Sequence, residues 1–198
     1  MRKINWQGWS SSKNILPSKE IICGFCGKSV VMHSGYHNIN NSPPSYIYIC
    51  PNCGRPTFFF EGDQHPGPLL GREISSLPDD IEYIYKEIRD DMKNTSYTSA
   101  VLLGRKLIMH LAVNIAEAQK GLSFVEYVKY LKDSHYLPPN GERILNFMKK
   151  LGNEQNHELK VGSKDQAEKI IKFVEVLLIH MYELPNEFPE NDPETSSG

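Results

Sequence analysis

The chain has no run of about 18 consecutive apolar residues, so no membrane-crossing helix is expected. Its first residues, MRKINWQGWSSSKN, carry charge with no apolar run behind it, so no secretory signal peptide is expected. Cysteine is scarce. Only four occur, in two tight pairs, which argues against a disulfide-stapled scaffold and for a cytoplasmic, metal-binding chain. Net charge is almost absent at −2, so no global field draws the protein to nucleic acid or membrane. Acid is nearly missing from the front. Up to Phe60, Glu20 stands alone against six Lys and Arg, whereas the remainder holds 16 basic and 23 acidic residues. A basic front followed by an acidic body is the expected layout. The front could meet a phosphate backbone or the acidic body itself.

With 198 residues the chain suffices for one medium domain or two small ones, and 39% apolar with 23% charged residues marks an ordinary globular protein. The cysteines fall in CGFCGK (Cys23, Cys26) and CPNCGR (Cys50, Cys53). Each pair has two intervening residues and a following glycine. That spacing lets two thiolates reach one ion from a tight turn, and the glycine permits the positive φ such a turn needs. Four thiolates complete a tetrahedral Zn²⁺ shell with no open position, so one structural, non-catalytic ion is expected. Residues 27–49 have room for two short strands, KSVVMHS and YIYIC, around a turn-rich tip, NINNSPPS. Phe58–Phe60 reads as the last strand of the ribbon. His33, His37 and His65 read as surface residues. A ribbon this small buries little core, and the ion would supply much of its folding energy.

After Ser76 the apolar period becomes helical. Ile81, Ile84, Tyr85, Ile88 and Met92 share one face, and the charged run RDDMK reads as a solvated one. AVLLGRKLIMHLAVNIAEAQ is apolar on more than one side, as a central helix would be. SFVE (Ser123, Glu126) and SKDQ (Ser163, Gln166) have the spacing of reciprocal helix caps. Ile144, Met148 and Leu151 mark a further helix. Ala167, Ile170, Ile171, Val174, Leu177, Leu178 and Met181 form an unbroken stripe that Pro185 is expected to stop. His110 and His180, inside the stripes, read as core or boundary residues. Trp6 and Trp9 could dock on the body or offer a stacking platform for nucleic acid.

The fold class expected is mainly α: a small N-terminal β zinc ribbon, then an antiparallel up-and-down helical bundle. The division is residues 1–62 for the ribbon with its N-terminal arm, 63–76 for an irregular linker, 77–185 for the bundle and 186–198 for a disordered acidic tail.

Several stretches, in order, resemble the family called domain of unknown function 4145: LPDDIEYIYKEIRDDMKNTSYTSAVLLGRKLIMHLAV, SFVEYVKYL, LPPN, LGNEQNHE and AEKIIKFVEVLLIHMYELP. The resemblance runs from about Leu69 to Pro185, and members often carry a cysteine-rich knuckle in front. The most recognisable element here is Gly152, Asn153 and His157. The family in turn resembles the HEPN superfamily of four-helix bundles, common in bacterial and phage conflict systems. Many of those are metal-independent ribonucleases, usually dimers. Their motif is an Arg, four to six residues, then a His, often with a polar residue directly after the Arg. His157 matches the His and Asn153 the polar residue, but Gly152 stands where the Arg should be. Lys150 is a cation at comparable spacing, yet an ammonium lacks the planar donor fork of a guanidinium.

What the resemblance implies for catalysis is a set of His157, Asn153 and Arg105. His157 would do acid–base chemistry on an RNA 2′-hydroxyl, and Arg105, mid-helix in LLGRKLI, would be the cation. The other reading has Asn153 and His157, one turn apart, tying a helix end by hydrogen bonds, with Arg105 paired or reaching solvent along a buried stem. The missing guanidinium favours the second. The function expected is a zinc-binding, non-catalytic binding or regulatory protein of a restriction or defence setting. Its partner would be a protein, RNA or DNA, or a second copy in a homodimer. The alternative is a HEPN-type ribonuclease using His157.

Overall fold

The structure, a computed structural model, describes residues 9–12, 16–38, 43–137, 142–152 and 161–188. Strands come first and helices second. The strands are β1 (Trp9–Ser12), β2 (Lys19–Ile22), β3 (Ser29–Met32), β4 (Gly35–Asn38), β5 (Ser45–Ile49), β6 (Pro56–Phe60) and β7 (Asp63–His65). They form two antiparallel sheets, one ordered β1-β4-β5-β6-β7 and the other a β2-β3 hairpin. Alternation explains the faces: in β6, Thr57 and Phe59 are buried while Phe58 and Phe60 are half-exposed. Leu16, Met32, Tyr48 and Phe59 make a small core around the buried Cys23 and Cys50.

Two strand expectations change. Phe58–Phe60 is not the last strand, because the chain turns at Glu61 and Gly62, both at positive φ, and β7 pairs back as Phe58↔His65. The segment from residue 63, expected to be irregular, therefore begins inside the sheet. Residues 27–49 hold three strands rather than two, since β4 pairs with both β1 and β5.

The helices are α1 (Asp79–Lys93), α2 (Tyr97–Asn114), α3 (Phe124–Asp133), α4 (Glu142–Gly152), α5 (Lys164–Leu178) and α6 (Leu184–Glu187). Helix α2 packs on α1, α3 and α5, and α4 packs on α3. The second, larger core is built from their stripes, with Ile88, Ile108, Leu111, Leu131, Ile170 and Leu177 at its centre. Both reciprocal caps form. Ser123 Oγ accepts from Glu126 N, and Glu126 Oε2 accepts from Ser123 N at 2.7 Å. Ser163 and Gln166 repeat the pattern at 3.2 and 2.9 Å. Gly104 lets α2 approach α5: a Cβ there would lie 2.1 Å from Ile170 Cγ2. No described helix is long and apolar enough to cross a membrane.

Four helical expectations are corrected. Pro185 does not end the last helix. A π-helical turn, Ile179–Glu183, follows α5 and shifts the hydrogen-bond register, so that Pro185 falls in the first turn of α6, where its missing N–H is tolerated. Asn186 and Glu187, assigned to the acidic tail, are helical. The RDDMK run is not a solvated face: Arg89 is 8% exposed, with Nε and Nη2 donating to the carbonyls of Leu70 and Gly71 at 2.9 and 3.0 Å. The central helix stops at Asn114, so Ile115 and the AEAQ that follows it, residues 116–119, lie beyond its end. His110 and His180 are both exposed, one bonded to Asn114 and the other edge-on to Tyr136.

Candidate metal centre

Each cysteine pair sits in the turn of a hairpin, the first between β2 and β3 and the second between β5 and β6. The two turns are built alike. Cys23 donates its N–H to Lys28 O at 3.0 Å, and Gly27 donates to Cys23 O at 2.9 Å. Cys50 donates to Arg55 O and Gly54 to Cys50 O at the same two distances. Gly27 and Gly54 have φ of 67° and 70°, the conformation the spacing called for.

All four sulfurs lie within 4.8 Å of one another, and all four cysteines are free thiols. Cys23 Sγ is 3.8 Å from Cys53 Sγ, and Cys26 Sγ is 3.9 Å from Cys50 Sγ. A tetrahedron with bonds of about 2.3 Å to sulfur has edges of about 3.8 Å, so the donor set fits one ion held by sulfur alone. Cys23 and Cys50 are buried, whereas Cys26 and Cys53 are partly open. The thiols differ accordingly. Burial pushes Cys23 up to about 12. Cys26 is also pushed up by burial, but donation from the Lys28 backbone and the Asn52 side chain outweighs that and brings it to about 7. No other His, Cys, Asp or Glu group among the described residues gathers in this way.

The first turn is locked to the helical part. Gln64 Nε2 donates to Ile22 O at 3.0 Å, and Gly67 donates its N–H to Lys93 O at 2.7 Å, at the end of α1. Between the turns and α1 lies a cavity of about 740 Å³, with Phe25 and Arg55 on one side and Tyr85 and Arg89 on the other. Arg55 lies over the Phe25 ring, 5.3 Å from its centroid. Phe25 and Arg55 were not singled out from sequence. Their signal was present as the non-cysteine positions of the two turns. At the cavity's far edge Arg72 pairs with Glu183, whose Oε2 also accepts from Ser75 N at 3.0 Å. These donors hold the Glu183 carboxyl at about 2, well below its ordinary value.

Of the three residues proposed for catalysis, Arg105 alone lies among the described residues. Asn153 and His157 lie outside the described residues. Gly152 is the last residue of α4, and Lys150 is exposed on that helix. Arg105 is half-buried on α2, its guanidinium 4.7 Å from the centroid of the Phe124 ring. Trp6 is likewise outside the described residues, and Trp9 begins β1.

The family model of Domain of unknown function (DUF4145) matches residues 86–192. No curated protein and no solved structure matches the chain.

Proposed function

The chain belongs to the DUF4145 family, and on that premise we propose that it is a zinc-carrying, non-catalytic binding protein. The observation that carries the reading is the closed set of four thiols, Cys23, Cys26, Cys50 and Cys53. Zinc suits four thiolates, and a fourfold sulfur shell leaves no vertex for water or substrate. The ion would then supply folding energy and hold two hairpin turns together, while chemistry at the metal is excluded by its ligands. The strands thus form a zinc ribbon, and α1–α5 form a HEPN-like unit. Two separate hydrophobic clusters, one in the strands and one in the helices, support that division. The restriction or phage-defence setting is part of the same proposal and rests on the family resemblance, and the cytoplasmic location rests on the scarcity of cysteine outside the two pairs.

Against catalysis stand Gly152 at the place of the motif Arg and the engagement of Arg105 with Phe124. One experiment tests both halves. Purified chain should hold one zinc per molecule by elemental analysis and should leave mixed RNAs intact with and without EDTA. Absence of bound zinc removes the ribbon reading. Cleavage that persists in EDTA and vanishes in His157→Ala, with the fold retained, replaces the binding reading by the ribonuclease one.

A further inference from the structure

We propose that the cleft between α4 and α5 docks an acidic peptide segment of a partner protein, one that presents a large apolar side chain flanked by carboxylates. The proposal rests on reading the chain as a binding protein, and it names the chemistry of one partner.

The cleft has a volume of about 460 Å³. Its floor is apolar: Phe147 comes from α4, and Phe173 and Val176 from α5. Val176 stands beside the buried stripe of α5, not in it, and is 45% exposed, so it offers an apolar surface to solvent. Three cations, Arg143, Lys169 and Lys172, stand on the rim, and no carboxylate lines the cleft. Lys169 is already engaged, bonded to Asp165 at 2.6 Å and lying 4.8 Å from the Phe147 ring centroid. Arg143 and Lys172 carry charge with no ion-pair partner among the described residues.

The arrangement selects among occupants. An apolar floor with a wholly positive rim is complementary to an apolar side chain between acids. From Lys169 to Val176 the cleft spans two turns of α5, about 10 Å, the reach of a short peptide segment. Nucleic acid is disfavoured by the rings. Lys169 lies over one face of Phe147 and Phe173 is 4% exposed, which leaves little ring face for a base to stack on.

The test uses the full chain and a fluorescein-labelled peptide of about three helical turns, with glutamates around two leucines and a phenylalanine. Fluorescence anisotropy should show saturable binding, weaker by about tenfold when the glutamates are replaced by glutamine. Lys172→Glu should weaken binding by about fivefold at unchanged helix content, and Val176→Ser should weaken it as well. No saturable binding, equal affinity for both peptides, or indifference to Lys172→Glu would overturn the proposal. So would displacement of the peptide by single-stranded RNA, or a dimer that Lys172→Glu converts to monomer, since a different occupant would then hold the cleft. Zinc is measured on the same samples, so a failure of the metal reading and a failure of this one are told apart.

Discussion

Gly24, inside the first cysteine turn, stands so close to Gly67 that a Cβ on it would lie 2.3 Å from the Gly67 carbonyl oxygen. Gly67 in turn bonds the last residue of α1. The neighbour is backbone and cannot swing aside. Gly24→Ala is therefore expected to lower stability by about 1–3 kcal/mol. The equivalent position of the second turn, Pro51, is exposed, and Pro51→Ala should cost less than about 1 kcal/mol. Urea midpoints of the two variants check the contrast.

A second close approach holds the helices. Ile170 is fully buried and cannot rotate away from a methyl added at Gly104. Gly104→Ala should cost about 1–3 kcal/mol. Combined with Ile170→Ala, it should cost less than the sum of the two single changes, because the second change vacates the space the first invades. Thermal melts of the four proteins in the cycle measure that coupling.

The Glu183 carboxyl titrates at about 2 in the folded chain against an ordinary 4.5, chiefly because Arg72 donates to it, with the Ser75 backbone second. A depressed carboxyl stabilises the fold above its unfolded value and loses that contribution as pH falls. The stability gap between the protein and Glu183→Gln should be full above pH 4.5 and close towards pH 2. Urea unfolding at intervals across that window reads it. A gap that stays constant would show that the pairing with Arg72 is not its source.

Cys23 and Cys50 are the most enclosed of the four thiols. Cys23→Ser or Cys50→Ser should abolish stable zinc retention on a desalting column. Acid should release the ion from the unaltered chain, because the ligands must be thiolates. A colorimetric zinc dye follows both.

Much of this architecture could be read from local chemistry. Ser123 with Glu126 and Ser163 with Gln166 announce two helix starts, because each cap needs only its own four residues. The cysteine turns are legible for the same reason. What escaped depends on distant partners. Arg89 looks like a surface charge until the carbonyls of Leu70 and Gly71 come within reach of it. β7 is three polar residues with no strand pattern, ordered by pairing with Phe58–Phe60. The passage of the last helix through Pro185 depends on a π turn that no periodicity signals. Of the candidate site, the thiols were legible as a set, while Phe25 and Arg55 gain meaning only when α1 closes over them.

The likeness of the two cysteine turns ends at their surroundings. Gly24 is buried against the chain that leads to α1, whereas Pro51 and Asn52 face solvent. The pair of turns therefore has a closed side and an open one. Among the described residues Cys26 and Cys53 are the partly open ligands, so an ion would load and leave past them, and chelators or oxidants would meet these two sulfurs first.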